Sequence, residues 1–452
     1  MTTNGAITNA SSLSRNVDLF FQIGASRGKD ITATFVSAFT EDPEVAIRIL
    51  EYGRDARGGA GERVTFRNLF TRLIGIDCAV ASRLLVKIPE IGRFDDLFVA
   101  FGTPLERAAL RIIASALTDA KNGLAAKWCP RQGPVANKIR SYLQLTPKAY
   151  RQLLVGLSST VEQQMCAQDW AEIDYNHVPS LAAARYQNAF GRHDPVGYSE
   201  YKDKLTTGEA KINASVAYPY DVIRSLTHGD ASVANAQWAA LPNYLEGSTE
   251  NILSVVDVSG SMSSARVSGS VTALDVAISL GLYTAERMGG AFKDTFVTFS
   301  TRPQFVKVTG NLSARYDTMS HANWDMTTDL QAVFSVILTA ATQHSVPESE
   351  MPTKLLILSD MEFNSCVAHD GRSVSAMNMI RDQYTAAGYK LPQVVFWCLN
   401  ARAGNIPVTY NETGTALISG FSPSIMTSVL GGEEMTPISI MLKSVMCQRY
   451  DF

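Results

Sequence analysis

The chain has 452 residues, of which 46% are hydrophobic and 18% are charged, and its formal net charge at pH 7 is −3. A chain of this length can form two or three domains with sizeable cores, and its composition is that of a globular protein rather than a disordered or fibrous one. No apolar run approaches the ~20 residues that a membrane-spanning helix requires, so we expect no association with a membrane.

The N-terminal residues and the cysteines both bear on location. Residues 1–12 lack the basic and then apolar order of a signal peptide, and we interpret residues 1–15 as a flexible leader. The cysteines form no C-x-x-C pair, so neither a zinc site nor a disulfide framework is expected. This pattern favours the reducing environment of the cytoplasm. The cysteines are Cys78, Cys129, Cys166, Cys366, Cys398 and Cys447.

Residues 16–226 show helical periodicity almost throughout. Apolar residues recur three or four positions apart, and short connections containing Pro, Gly or Asp separate the predicted helices. Successive short amphipathic helices are typical of antiparallel pairs stacked into an α-solenoid of the HEAT type. The helices are predicted at 33–39, 43–52, 63–76, 78–87, 95–101, 105–120, 134–143 and 147–157.

A polar, glycine-rich segment at residues 54–63 lies between two of these helices. It is not a phosphate-binding loop of the P-loop kind, because no Lys followed by Ser or Thr is present and no strand precedes it. Arg54, Arg57 and Arg63 could contact the phosphates of RNA. They could equally form ion pairs at the helix ends with the carboxylates of the same segment.

A second basic segment covers residues 121–151, in which no Asp or Glu occurs. Its charges can neutralise phosphates, and the interleaved Trp128, Tyr142 and Tyr150 can stack on unpaired bases. The alternative is that the charges face different directions on a solvated surface. The positive residues of this segment are Lys121, Lys127, Arg131, Lys138, Arg140, Lys148 and Arg151.

The pattern changes after the helical region. Residues 227–251 are rich in Ala, Ser, Gly and Asn and predict a connector, and residues 252–452 then alternate apolar strands with helices. This alternation indicates right-handed crossovers and a doubly wound, mostly parallel sheet, so the predicted fold class is α + α/β. Strands are predicted at 252–256, 295–299, 305–308, 355–358, 393–399 and from 416, and helices at 273–288, 328–341, 373–387, 422–430 and 438–445.

The strand at 252–256 ends at a short polar motif. Asp257, Ser259 and Ser261 follow it directly, so their oxygens can turn toward one point above the carboxyl end of the strand, where open α/β sheets bind ligands. One carboxylate and two hydroxyls are hard oxygen ligands and leave room for water or a partner, as Mg²⁺ prefers. The sequence therefore predicts a Mg²⁺ or Mn²⁺ site. The alternative is a serine-rich turn in which an Asp or Ser caps the next helix.

This motif, Asp-x-Ser-x-Ser without a gap, resembles the first loop of the metal-ion-dependent adhesion site of von Willebrand factor A domains. The resemblance implies two further ligands, a Thr from a second loop and an Asp from a third. Thr328 is the better match for the Thr, because it directly precedes the Asp-Leu that begins a predicted amphipathic helix, and Thr327 is the alternative. Asp360 follows the apolar strand at 354–359 and matches the Asp.

Both halves together resemble the Ro autoantigen family, in which a helical-repeat ring, the TROVE module, precedes a von Willebrand A domain. The resemblance covers about residues 20–450 and is closest to an uncharacterised branch of Ro-like proteins. It implies that the helical region binds RNA and that the A domain holds Mg²⁺. Besides the metal loops, the matching segments are 54–63, 124–131, 145–151, 172–180 and 210–213.

The function expected from the sequence is that of a non-enzymatic RNA-binding protein. The alternative is a metal-dependent adaptor without RNA, in which a partner protein, for example a MoxR-type AAA+ ATPase, donates a carboxylate to the metal. An enzyme is not expected, because a lone Mg²⁺ with two hydroxyls and two carboxylates has no placed general base. Glu362 is the candidate base nearest to Asp360, and we interpret it as solvated or as a neighbour that supports the metal ligands.

Overall fold

The computed structural model describes residues 8–158, 160–214, 217–228, 230–299, 302–320, 322, 329–363, 376–402, 404–431 and 435–452. The N-terminal part of the chain is helical, and the C-terminal part is a mixed, mostly parallel sheet flanked by helices. The predicted α + α/β class is therefore confirmed. In the described ranges, no helix is both long enough and apolar enough to cross a membrane.

The helical part begins many of its helices where the sequence predicts, because capping side chains are present. Asp42 and Asp77 each accept hydrogen bonds from two backbone N–H groups of the helix that follows. The helices are α1 (Arg15–Ile23), α2 (Thr32–Glu41), α3 (Pro43–Arg54), α4 (Arg63–Ile76), α5 (Cys78–Ile91), α6 (Glu106–Thr118), α7 (Gly123–Trp128), α8 (Pro134–Tyr142), α9 (Pro147–Leu157), α10 (Val161–Ala167), α11 (Ser180–His193), α12 (Pro195–Thr207), α13 (Pro219–His228) and α14 (Ala231–Ala239), with 3₁₀ helices at Phe94–Ala100, Trp170–Glu172 and Tyr175–His177.

The C-terminal part forms a sheet whose strands are mostly continuous apolar runs buried on both faces. The strands are β1 (Ile252–Asp257), β2 (Arg266–Ser268), β3 (Val271–Thr272), β4 (Thr295–Phe299), β5 (Phe305–Lys307), β6 (Lys354–Ser359), β7 (Gln393–Cys398) and β8 (Thr415–Ser419). The helices are α15 (Gly260–Ser264), α16 (Ala273–Arg287), α17 (Leu312–Ser320), α18 (Leu330–Gln343), α19 (Ala376–Ala386) and α20 (Pro437–Val445), with 3₁₀ helices at Glu348–Glu350, Pro423–Ser428 and Gln448–Tyr450.

Within the described residues, the order of the main sheet is β5-β4-β1-β6-β7-β8, and β2 and β3 form a separate hairpin. All neighbours in the main sheet are parallel except β5, which is antiparallel to β4. Strands β1 and β6 are therefore adjacent at the centre of the sheet, and their carboxyl ends lie at the same edge.

Helix α1 packs directly against the edge strand β8. The backbone N–H of Gly24 donates to Ser419 Oγ at 3.0 Å, and Ser419 Oγ donates to the carbonyl oxygen of Phe20 at 3.3 Å. A Cβ atom at Gly24 would lie 2.3 Å from the carbonyl oxygen of Ser419, so only glycine permits this approach. One apolar core accordingly extends from Val17 in α1 through the sheet to Tyr450.

Three segments differ from the sequence interpretation. Residues 8–14, assigned to a flexible leader, contact the C-terminal part: Asn9 N donates to Ile406 O at 3.0 Å, and Tyr410 N donates to Ser12 O at 2.8 Å. The predicted connector at 227–251 contains α14, whose Asp230 cap accepts from Ser232 N. The helix predicted at 422–430 is a shorter 3₁₀ helix. Residues 8–14 and α14 give no clear one-sided apolar spacing because each segment is short.

Candidate metal centre

Asp257 and Asp360 meet because two central strands end together. In the register of β1 and β6, Val256 pairs with Leu358, so Asp257 ends its strand opposite Ser359, and Asp360 follows one position later. Asp257 is 0% exposed and Asp360 is 1% exposed. The structure thus brings the first and third predicted loops to one point at the carboxyl edge of the sheet, where ligands of open α/β sheets bind.

The Asp257 carboxylate accepts two hydrogen bonds. The backbone N–H of Ser259 donates to Oδ1 at 2.9 Å, and the hydroxyl of Ser359 donates to Oδ2 at 2.5 Å. Within the same loop, the hydroxyls of Ser259 and Ser261 lie 3.0 Å apart. Ser359 was not among the predicted site residues. Its position as the last residue of β6, next to Asp360, was the sequence signal for it.

The Asp360 carboxylate contacts its own loop and the loop that follows β7, which carries Arg402. Its Oδ1 accepts from the backbone N–H of Glu362 at 3.3 Å, and its Oδ2 accepts from Nη2 of Arg402 at 3.1 Å. Burial raises the pKa of Asp360, and the nearby side chain of Ser261 works against that rise, which connects this carboxylate to the Asp-x-Ser-x-Ser loop. Arg402 follows β7 and was not predicted from the sequence.

Burial makes both carboxylates costly to ionise. Desolvation, together with the nearby charge of Asp360, raises the pKa of Asp257 to about 6 from a usual 3.8. Desolvation also raises the pKa of Asp360, although the Arg402 guanidinium opposes that change. Two buried carboxylates with raised pKa values at one edge of a sheet are stabilised by any cation placed between them.

Glu362 is buried, which corrects its interpretation as a solvated residue. It is 5% exposed, and its Oε1 lies 3.2 Å from Nη1 of Arg402 and accepts from Nδ2 of Asn405 at 3.2 Å. Asn405 in turn accepts a hydrogen bond from Thr8 Oγ1 at 3.0 Å. Glu362 is therefore part of a fixed hydrogen-bond network beside Asp360, and its carboxylate has a positive partner.

The second predicted loop is only partly described. Thr327 and Thr328 lie outside the described residues. The helix predicted to begin at residue 328 begins at Leu330 instead, because Asp329 caps it by accepting from the backbone N–H of Ala332 at 3.0 Å.

The donor set fits a hard divalent cation. Asp257, Ser259, Ser261 and Asp360 supply carboxylate and hydroxyl oxygens on the loops that follow the adjacent strands β1 and β6, and oxygen is the ligand type that Mg²⁺ and Mn²⁺ take in proteins. In the part of the chain that is described, no group of three or more His, Cys, Asp or Glu residues could hold a metal. A cation here would thus depend on serine hydroxyls and water besides the carboxylates.

The predicted RNA contacts of segment 54–63 separate into buried and exposed residues. Arg54 is 3% exposed, and its Nη2 lies 2.6 Å from Oδ2 of the buried Asp96, so it cannot reach a phosphate on the surface. This corrects its assignment to RNA, and also its expected ion-pair partners: Asp55 binds Arg449 instead. Arg57 and Arg63 are exposed.

In the segment 121–151, two of the three aromatic side chains already pack against other groups of the protein. The guanidinium of Arg93 lies 3.5 Å from the ring centroid of Trp128, and Tyr150 is 1% exposed and donates to Pro130 O at 3.2 Å. Tyr142 is 38% exposed. The positive side chains are more accessible to solvent. Lys127 and Arg140 are half-buried, and Lys138 is exposed but its Nζ lies 2.6 Å from Oε2 of Glu106. The exposed residues without an ion pair in the described ranges are Lys121, Arg131, Lys148 and Arg151.

Fold and site together define the class: an α/β protein with a candidate oxygen-ligand site at the carboxyl edge of a parallel sheet, and a helical part packed on the edge strand. Two family models match this chain. One, a domain of unknown function (DUF7788), matches residues 251–445, and another, a domain of unknown function (DUF2828), matches residues 2–75 and 134–250. The two matches meet directly before β1.

A curated relative also spans both parts. The uncharacterized protein L728 of Acanthamoeba polyphaga mimivirus is 28% identical over 501 aligned positions, which cover 98% of this chain and 86% of the relative. The similarity therefore extends over nearly the whole length of this chain, across both parts.

Proposed function

We propose that this chain is a divalent-cation-dependent binding protein. Its C-terminal part holds Mg²⁺ or Mn²⁺ through Asp257, Ser259, Ser261 and Asp360, with a threonine of the second loop, Thr328 or Thr327, as a further ligand. A carboxylate of a partner protein completes the coordination shell. The observation that carries the proposal is the meeting of two buried carboxylates beside two serine hydroxyls at the carboxyl ends of β1 and β6.

The electrostatics favour a cation over a structural role. Asp257 has hydroxyl and backbone donors but no basic side chain as a partner in the described residues, and burial together with the charge of Asp360 raises its pKa. A divalent ion supplies that compensation and keeps open positions for water or a partner ligand. A cap for the following helix would need only one such oxygen.

We extend the proposal to the architecture suggested by the resemblance. The C-terminal part is of the von Willebrand A type, which the central position of β1 in the sheet and the motif directly after it support. The helical part is of the HEAT-like, TROVE type, which its succession of short helices with short connections supports. A cytoplasmic location and an adaptor role, without catalysis, belong to the same proposal.

Cation binding is tested on the purified chain. Isothermal titration with Mn²⁺ and Mg²⁺ should show one site in the wild type and none in Asp257→Asn. The matched control is Asp382→Asn, which makes the same change at an exposed residue of α19. If wild type and Asp257→Asn bind Mn²⁺ equally, the site is not the one proposed.

The partner is tested separately. Pull-downs with wild type and Asp257→Asn, each with Mg²⁺ or with EDTA, should recover a protein only with wild type in Mg²⁺. That protein is then purified, and its binding should be lost when the responsible Asp or Glu is changed to the amide. Identical recovery in all four conditions would rule out a cation-dependent contact.

RNA binding is the second candidate, and the exposed cations of α7–α9 favour it. Lys148 and Arg151 lie on α9, exposed and without an ion pair in the described ranges, and both can contact phosphates. In filter binding with single-stranded and hairpin RNA, Lys148→Glu with Arg151→Glu should weaken retention and lower the salt slope by about one per lost contact. The charge-matched control is Arg302→Glu with Lys307→Glu. No retention of either RNA by the wild type at low salt would remove this function.

A further inference from the structure

Arg402 occupies the charge-neutralising position beside the candidate metal centre. Its Nη2 lies 3.1 Å from Oδ2 of Asp360, and its Nη1 lies 3.2 Å from Oε1 of Glu362. Its side chain is 36% exposed, so it reaches these carboxylates from the rim of the site rather than from the core. One guanidinium thus bridges a proposed ligand and that ligand's neighbour.

The loop that carries Arg402 is fixed by the helical part. The backbone N–H of Ala401 donates to Ala25 O at 3.0 Å, and Lys29 Nζ donates to Asn400 Oδ1 at 2.5 Å and also to the carbonyl oxygen of Ala401. Both contacts come from the turn between α1 and α2. The helical part therefore holds the guanidinium in place at the sheet edge.

We infer that Arg402 is a resident competitor for the divalent cation and sets the affinity of the site. The inference depends on the proposed function and deepens it. The Arg402 guanidinium and a divalent ion would both neutralise the Asp360 carboxylate, and two cations beside one carboxylate repel each other. The cation must therefore displace the guanidinium from Asp360 or bind beside it at a cost, and in either case its affinity is lower than that of the oxygen donors alone.

A purely structural role for Arg402 makes the opposite prediction. If the guanidinium merely holds Asp360 in a binding orientation, its removal disorders a ligand and weakens metal binding. If it competes, its removal takes the guanidinium away from Asp360, so the metal-free protein becomes less stable and the cation binds more tightly. The sign of the change in affinity separates the two roles.

The experiment compares Arg402→Gln and Arg402→Lys with the wild type by Mn²⁺ titration calorimetry and by thermal unfolding with EDTA or Mn²⁺. Arg402→Gln should bind Mn²⁺ about tenfold more tightly or better, with a lower melting temperature in EDTA and a larger upward shift on adding Mn²⁺. Lys307→Gln, which removes one positive charge from the exposed edge strand β5, should leave all three values unchanged. An unchanged or weaker Mn²⁺ affinity in Arg402→Gln overturns the inference.

Arg402→Lys keeps the experiment decisive if Arg402→Gln does not fold. An ammonium cannot bridge both carboxylates as the planar guanidinium does, so this variant should bind Mn²⁺ about threefold more tightly than the wild type. Equal or weaker binding there also contradicts competition.

The two proposals can fail separately. If the wild type binds no Mn²⁺ but Arg402→Gln does, and adding Asp257→Asn to that variant abolishes the binding, competition is supported while the proposed function of the native chain fails. If neither protein binds Mn²⁺, both proposals fail. If the wild type binds and Arg402→Gln binds less tightly, the proposed function stands and competition does not.

Discussion

Replacing Asp257 with Asn should stabilise the metal-free protein and abolish cation binding. The carboxylate is 0% exposed, and burial together with the charge of Asp360 raises its pKa to about 6 from 3.8. The folded protein therefore holds this proton more tightly than the unfolded chain does, so stability falls as the pH rises from about 4 to 6. A difference of about two pH units amounts to about 3 kcal/mol of destabilisation above pH 6.

The gain in the free energy of unfolding on changing Asp257 to Asn should be smaller than the ~3 kcal/mol that the ionised carboxylate costs. The amide oxygen can still accept from Ser259 N, but the amide nitrogen cannot accept from the Ser359 hydroxyl as Oδ2 does. One altered hydrogen bond offsets about 1 kcal/mol, which leaves an expected gain of about 1–2 kcal/mol.

Urea denaturation in EDTA measures this gain. At pH 7.5, Asp257→Asn should unfold at higher urea than the wild type. The difference should shrink as the pH is lowered toward 4, where the folded wild-type carboxyl group is protonated and the unfolded one begins to be. Excess Mg²⁺ should reverse the order, because a cation at 100 times its dissociation constant stabilises the wild type alone by about 2.7 kcal/mol. A variant less stable than the wild type at pH 7.5 in EDTA would refute the electrostatic reasoning.

Two further substitutions, Gly24→Ala and Arg54→Ala, test the contact of α1 with β8 and the buried ion pair of Arg54. Gly24→Ala should cost about 2 kcal/mol, because its Cβ would meet the Ser419 carbonyl, whereas Gly75→Ala, with no atom within 4 Å, should be neutral or stabilise by up to about 1 kcal/mol in the same urea titration. Equal effects would show that α1 does not pack on β8. Arg54→Ala should cost about 3 kcal/mol, because the buried Asp96 loses a positive partner. RNA retention on filters should not change, and a loss of RNA binding at unchanged stability would place Arg54 on the nucleic-acid surface.

The meeting of Asp257 and Asp360 could be predicted from the sequence because local and global preferences agree there. Two continuous apolar runs each end in a carboxylate, and fully apolar runs are typical of central parallel strands. Parallel strands share a carboxyl edge, so both carboxylates had to lie at one edge of the sheet. The structure adds that β1 and β6 are adjacent, which the order of elements along the chain does not determine.

Helix α1 and Arg402 could not be predicted in the same way. The apolar side chains of α1 lie on one side of the helix, but residues 16–23 are all buried, including Asn16, Asp18 and Gln22. The spacing therefore indicates a helix but not that its polar side is also covered by the rest of the protein. Arg402 lies in an irregular loop whose position depends on Ala25 and Lys29, which are far away in the sequence. Contacts between distant loops depend on tertiary packing, and no local pattern reports them.

The charge at Asp257 is the strongest indication that this edge of the sheet has a function. A sequence optimised only for stability would place Asn or an apolar residue at the buried end of β1, because an ionised carboxylate there is stabilised by hydrogen bonds but has no basic partner in the described residues. A buried charge without an oppositely charged partner, which lowers stability, is found mainly at functional sites. Arg402 pairs with Asp360 and Glu362 and not with Asp257. The remaining negative charge is therefore what a divalent cation would neutralise, and the same charge makes the protein less stable when the cation is absent.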